Sequence, residues 1–128
     1  MKQKAAGLWI DHKKAIIVTL TNDGEEITHV ESDISKTDRI AGNADTPPTE
    51  SQRNRRFGEA LNRYYDNLLI YMRDKMAILI MGPGKAKIEF QKRLEEKALS
   101  QRIVAVETAD KMTDRQFAAR VRRHFQKP

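Results

Sequence analysis

Apolar and polar positions alternate in short blocks along the first part of the chain. Residues 6–11 alternate loosely and carry Trp9, the sole tryptophan. Residues 15–21 are β-branched and apolar, with Ile16, Val18 and Leu20 on one face, and residues 25–32 alternate again around Ile27 and Val30. A period of two marks a half-buried strand. His12-Lys13-Lys14 reads as a tight turn. Asn22-Asp23-Gly24 marks a hairpin, because Asn, Asp and Gly tolerate positive φ. The pattern predicts a three-stranded antiparallel meander.

Residues 33–48 carry no apolar periodicity, and such loops inside small domains are usually functional or disordered. Pro47-Pro48 blocks an earlier helix start. Thr49-Glu50-Ser51-Gln52 fits a capping box, with Thr49 as N-cap and Gln52 reaching back from the third helical position. Phe57, Leu61, Tyr64, Leu68 and Met72 then form one helical stripe, which predicts a helix to about residue 74. Residues 76–81 are wholly apolar and read as a buried strand, broken by Gly82-Pro83-Gly84. A second helix is expected over 86–99, with Ala86, Phe90, Leu94 and Ala98 on one face, and a short buried strand over 103–106. Thr113-Asp114-Arg115-Gln116 is a second capping box, with Met112 and Phe117 placed for a hydrophobic staple. The last helix should bury Phe117, Val121 and Phe125.

The predicted order is β-β-β-α-β-α-β-α. Two strands bounded by helices should be parallel neighbours. A five-stranded mixed sheet with helices packed on it, of ribonuclease H-like topology, follows as the simplest α/β solution. The 128 residues suit one domain, 1–128, and no internal repeat is visible.

Charge sharpens this picture. The chain is 39% hydrophobic, 33% charged and carries a net charge of +6, so a thin core and a heavily charged surface are expected. The excess is clustered. Lys111, Arg115, Arg120, Arg122, Arg123 and Lys127 face a single acid, Asp114, near the end, and Arg53, Arg55 and Arg56 open the long helix with no acid among them. Clustered cations favour a phosphate-rich partner. Arginine at a helix N-terminus opposes the helix dipole, and placement against local preference hints at function. The absence of cysteine excludes disulfides and thiolate metal sites, and His12, His29 and His124 are too scattered to suggest zinc. No segment has the roughly 20 apolar residues of a membrane span, so no membrane partner and a cytoplasmic location are expected.

Three further constellations carry chemistry. Asp11, Glu59 and Asp110 are the one acidic set that could hold two metal ions across a scissile phosphate, as in a metal-dependent nuclease. Gly82-Pro83-Gly84-Lys85-Ala86-Lys87 joins a strand to a helix, a context that suits a phosphate, but it lacks the P-loop pattern. Tyr64 and Trp9 fall on apolar faces and read as core rather than as stacking platforms.

From about Gly7 to Phe125 this arrangement resembles the central domain of the class-I peptide-chain release factors of eukaryotes and archaea, and the matching domain of Pelota. There a Gly-Gly-Gln loop opens a long helix, with Arg-Phe a few residues later. Glu50-Ser51-Gln52 and Arg56-Phe57 stand at those places here, and Ile78-Leu79-Ile80-Met81-Gly82-Pro83-Gly84 matches the strand and turn that follow. Leu8-Trp9-Ile10-Asp11-His12, Gly82-Pro83-Gly84-Lys85-Ala86-Lys87 and Val106-Glu107-Thr108-Ala109-Asp110 are similar to small stand-alone bacterial release-factor-like proteins. The resemblance implies a translation-related role with the ribosome, rRNA or tRNA as partner. Both glycines are replaced by residues with β-carbons, which restricts the backbone at Gln52. The expectation is therefore non-catalytic binding without a cofactor or metal. Gln52, Arg53, Arg55 and Arg56 would contact RNA, and Lys85, Lys87, Arg122 and Arg123 would form a second patch. A nuclease, a peptidyl-tRNA hydrolase and a protein-interaction module using loop 33–48 stand as alternatives.

Overall fold

The computed structural model describes residues 4–33 and 49–126. Loop 33–48, apart from Asp33, and Lys127 lie outside the described residues. The strands are β1 (Ala5–Ile10), β2 (Lys14–Thr21), β3 (Gly24–Glu31), β4 (Ala77–Gly82) and β5 (Ile103–Thr108); the helices are α1 (Glu50–Met72), α2 (Ala86–Glu96) and α3 (Asp114–Phe125). A short 3₁₀ turn, Ser100–Arg102, leads into β5. The strands form one mixed sheet in the order β3-β2-β1-β4-β5. β1–β2 and β2–β3 are antiparallel and β4–β5 is parallel, as expected; β1–β4 is also parallel, a pairing that the strand pattern alone leaves open.

The pleat sends alternate side chains of β1 into two cores. Ala6, Leu8 and Ile10 pack under α1 and α2 with Ile17, Ile78, Ile80, Leu68 and Phe90. Trp9 turns to the other face and packs with Val18, Leu79, Met81, Phe117 and Val121 of α3. Two glycines permit close approaches. A Cβ on Gly7 would sit 2.2 Å from Val121 Cγ2, and one on Gly82 would sit 2.2 Å from the Ile10 carbonyl oxygen.

Local chemistry sets the helix ends. Both capping boxes form: Thr49 Oγ1 accepts from the Gln52 N–H at 3.1 Å while Gln52 Oε1 accepts from the Thr49 N–H at 2.9 Å, and Thr113 and Gln116 repeat both distances. Met112 and Phe117 lie in the same core, the staple arrangement. α2 ends earlier than the stripe predicts, because Ala98 is not helical. It has φ +60°, the one positive-φ non-glycine among the described residues. Ala98 N–H bonds the Glu95 carbonyl and Leu99 N–H the Leu94 carbonyl, which is a Schellman ending built on alanine instead of glycine. Ile27 also departs from expectation, being 42% exposed on the edge strand β3.

Candidate nucleic-acid interface

Because β1 and β4 are parallel, from Ala5 opposite Ala77 to Trp9 opposite Met81, their C-terminal ends share one edge of the sheet. The turn from Asp11 to Lys14 lies there, held by Asp11 Oδ1 accepting from Lys13 N–H and Lys14 N–H, both at 2.8 Å. The turn at Gly82-Pro83-Gly84 and the start of α2 lie there too. α1 arrives at the same edge: Tyr64 Oη donates to the Asp11 carbonyl at 2.9 Å, and the Phe57 ring meets the His12 ring edge-on at 5.9 Å. The far end of α1 lies at the opposite edge, where Lys4 reaches Asp74 at 3.1 Å.

α1 is longer than the sheet is deep. Its 23 residues span about 35 Å at 1.5 Å each. A six-residue strand such as β1 spans about 20 Å. Burial on α1 begins only at Ala60, so residues 50–56 overhang the edge by about 10 Å. Arg53 and Arg55 are exposed on this overhang, and Arg56 is half-buried. None of the three pairs with a carboxylate among the described residues. Lys85 and Lys13 are exposed on the same edge. The partial positive charge of the helix N-terminus adds to theirs, so this end attracts anions. Gln52 lies here too, but its side-chain oxygen is engaged as the cap.

A polar cluster beneath the overhang escaped the sequence reading. Glu89 Oε1 accepts from Tyr65 Oη at 2.6 Å and lies 3.0 Å from His12 Nε2. Burial works to raise the Glu89 pKa, but the hydrogen bonds from Tyr65 and His12 and the charges of His12 and Lys85 outweigh it and hold the carboxyl below its usual range. An ionised carboxylate only accepts, so His12 Nε2 carries the hydrogen. Burial first, then the bond to Glu89, pushes the Tyr65 hydroxyl upward and keeps it a donor. The cluster ties the β1–β2 turn, α1 and α2 together under the arginines. His12 and Glu89 are 77 residues apart, and no local pattern pairs them.

The expected second patch does not assemble. Lys85 joins the α1 edge. Lys87 is 8% exposed, and its ammonium donates to the Gly84 carbonyl at 2.6 Å, because the first turn of α2 packs its stem inward. Arg122 pairs with Glu25. Glu25 lies opposite Leu20, near the N-terminal edge of β1 and on the α3 face. Arg122 therefore occupies the other end and the other side of the molecule from Lys85. Arg123 instead flanks a groove of about 520 Å³ beside α3, together with Lys111, Met112 and Arg120. The carboxylates of the nuclease alternative also lie apart. Asp11 serves its own turn, and Glu59 is exposed on the overhanging half of α1. Asp110 sits on the opposite face, its carbonyl accepting from Trp9 Nε1 at 3.2 Å. Among the described residues no three His, Cys, Asp or Glu side chains are grouped to hold a metal. No described helix is long and apolar enough to cross a membrane.

A mixed sheet with two helices on one face and one on the other is an α/β fold also found among solved translation factors. The fold is similar to Pelota of Archaeoglobus fulgidus (TM-score 0.60, 15% identity, 98% of this chain and 32% of that one) and to Pelota of Thermoplasma acidophilum (TM-score 0.58, 16% identity, 87% and 29%). An archaeal translation termination factor gives a TM-score of 0.51 at 16% identity, over 96% of this chain and 39% of that one. The chain thus spans about a third of the length of these proteins. No family model and no curated protein matches the sequence.

Proposed function

We propose that this chain is a translation-related, RNA-contacting module that binds phosphate backbone through the projecting start of α1 and catalyses no reaction there. The observation that carries the reading is the set of three arginines, Arg53, Arg55 and Arg56, with no carboxylate partner among the described residues, on a helix end that overhangs the sheet beside Lys85. The likeness in fold to Pelota and to a translation termination factor supports the ribosome, with its rRNA or bound tRNA, as the site of action. Use of Gln52 as a helix cap supports a binding role over hydrolysis of peptidyl-tRNA. In this role the arginines neutralise phosphates and the cluster of His12, Glu89 and Tyr65 fixes the platform from which they project.

The test is a salt titration of binding to purified ribosomes and to tRNA. Each phosphate contact adds about 0.7–0.9 to the slope of log K against log salt, so replacing the three arginines by alanine should lower the slope by about 2–3. An unchanged slope, or salt-insensitive binding of the parent chain, overturns the reading.

A further inference from the structure

Most aromatic rings of this chain are buried: Trp9, Tyr64, Tyr65, Phe90 and Phe117 all lie in the two cores. Among the described residues, Tyr71 and Phe57 are the aromatics that stand exposed. Tyr71 belongs to the last turn of α1, toward the edge where Lys4 meets Asp74. Phe57 belongs to the cationic end. It follows Arg53 by four residues, so the two side chains share a helix face, and it adjoins Arg56. A phenyl ring left in water forgoes its burial energy, so its position calls for a reason.

The ring is braced rather than loose. His12 meets it with 5.9 Å between centroids and 77° between planes. A contact of this edge-on kind covers at most one face of the phenyl ring, and Phe57 is 40% exposed. His12 is itself held, with Nε2 3.0 Å from the Glu89 Oε1 that also accepts from Tyr65. The next residue on the helix is Gly58. A Cβ there would meet nothing within 4 Å, so packing does not call for glycine, and glycine inside a helix weakens it. Its effect is to keep the backbone beside the ring open to a flat ligand.

We propose that Phe57 stacks on an unpaired nucleobase of the RNA whose phosphates meet Arg53, Arg55 and Arg56. This rests on the function proposed above and names the kind of RNA that the same site takes. A base inside a duplex has both faces covered by its neighbours, so only a looped-out or single-stranded base offers one to the ring. Stacking needs no matched hydrogen bonds, so the site reads that a base is free and not which base it is. Bracing by His12 fixes the ring before binding and lowers the cost of ordering it.

The test measures binding of the full chain and of Phe57→Ala, Phe57→Leu and Phe57→Trp to three RNAs. These are single-stranded oligouridine, the same strand with abasic residues, and a long duplex in which few bases are terminal. Phe57→Ala and Phe57→Leu should each weaken oligouridine binding about fivefold or more, the loss of one stacked base. The slope of log K against log salt should not change, since no phosphate contact is removed. Phe57→Trp should bind at least as tightly as the parent, and its added indole emission should be quenched by oligouridine. The abasic strand and the duplex should bind all four chains alike. Equal affinity of the parent for oligouridine and the abasic strand, a Phe57→Leu chain that binds like the parent, or an equal loss on the duplex would each overturn the proposal. If one of these occurs while the parent keeps its steep salt slope, stacking fails and the phosphate contact stands. A parent with no salt-dependent binding to any of the three RNAs removes both.

Discussion

The two capping boxes make a matched experiment. Thr49 and Thr113 each accept from the N–H three residues on at 3.1 Å, and each is paired with a glutamine that returns the bond at 2.9 Å. Their surroundings differ. The first turn of α3 is stapled by Met112 and is followed at once by the buried Phe117 and Ala118. The first two turns of α1 bury nothing before Ala60. Losing the threonine oxygen costs about 1 kcal/mol in either case. At Thr113 the first turn melts only with the core, so Thr113→Ala should lower the midpoint of thermal unfolding by about 3–5 °C for a chain of this size. At Thr49 the overhang can fray alone, so Thr49→Ala should lower the midpoint by no more than about 1 °C. Instead it should speed amide exchange over residues 50–56 about fivefold, the equivalent of 1 kcal/mol in a local opening. Calorimetry and native-state hydrogen exchange on the two variants decide the matter. Equal midpoint losses would mean that the start of α1 is coupled to the core, and the overhang argument would fail.

Four further outcomes are expected. Gly82→Ala should destabilise by about 2 kcal/mol or more in urea unfolding, because the new methyl would meet a backbone oxygen that cannot rotate away. Ala98→Gly should stabilise by about 0.5–1 kcal/mol by relieving the left-handed conformation, as read in the same assay. Glu89 has a depressed folded-state pKa, so its contribution is present above the usual glutamate value near 4.3 and is lost as pH falls through the lower folded value; Glu89→Gln should flatten the decline in stability below about pH 4.5. Lys85→Met should reduce the salt slope of RNA binding by about 1, whereas Lys87→Met should leave it unchanged, since that ammonium is already bound to Gly84.

The local parts of this structure were legible in the sequence and the assembled parts were not. Element order, the meander, both capping boxes and the staple follow from side-chain period and from hydrogen bonds closed within four residues. Phe57 fits the helical stripe, yet it is 40% exposed, since the period cannot reveal where the sheet beneath α1 stops. The grouping of Lys85 with Arg122 and Arg123 failed for a related reason. Charge counts along the chain do not tell which strand end or which face an element reaches, and the parallel pairing of β1 with β4 decides that. Glu89 was missed because its partners, Tyr65 and His12, come from other elements. The alanine at a helix ending that favours glycine hid the stop at Ala98.

β1 serves both cores with consecutive side chains, which constrains how the gene for this chain can change. One codon inserted between Ala6 and Trp9 would exchange inside for outside along the remainder of the strand. The indole would be driven beneath Tyr64 and Leu68, and the space it vacates between Val18 and Phe117 would receive a smaller neighbour. Length variation among descendants should instead gather at the hairpin of Asn22 and Asp23, where an extra residue displaces nothing that either layer needs.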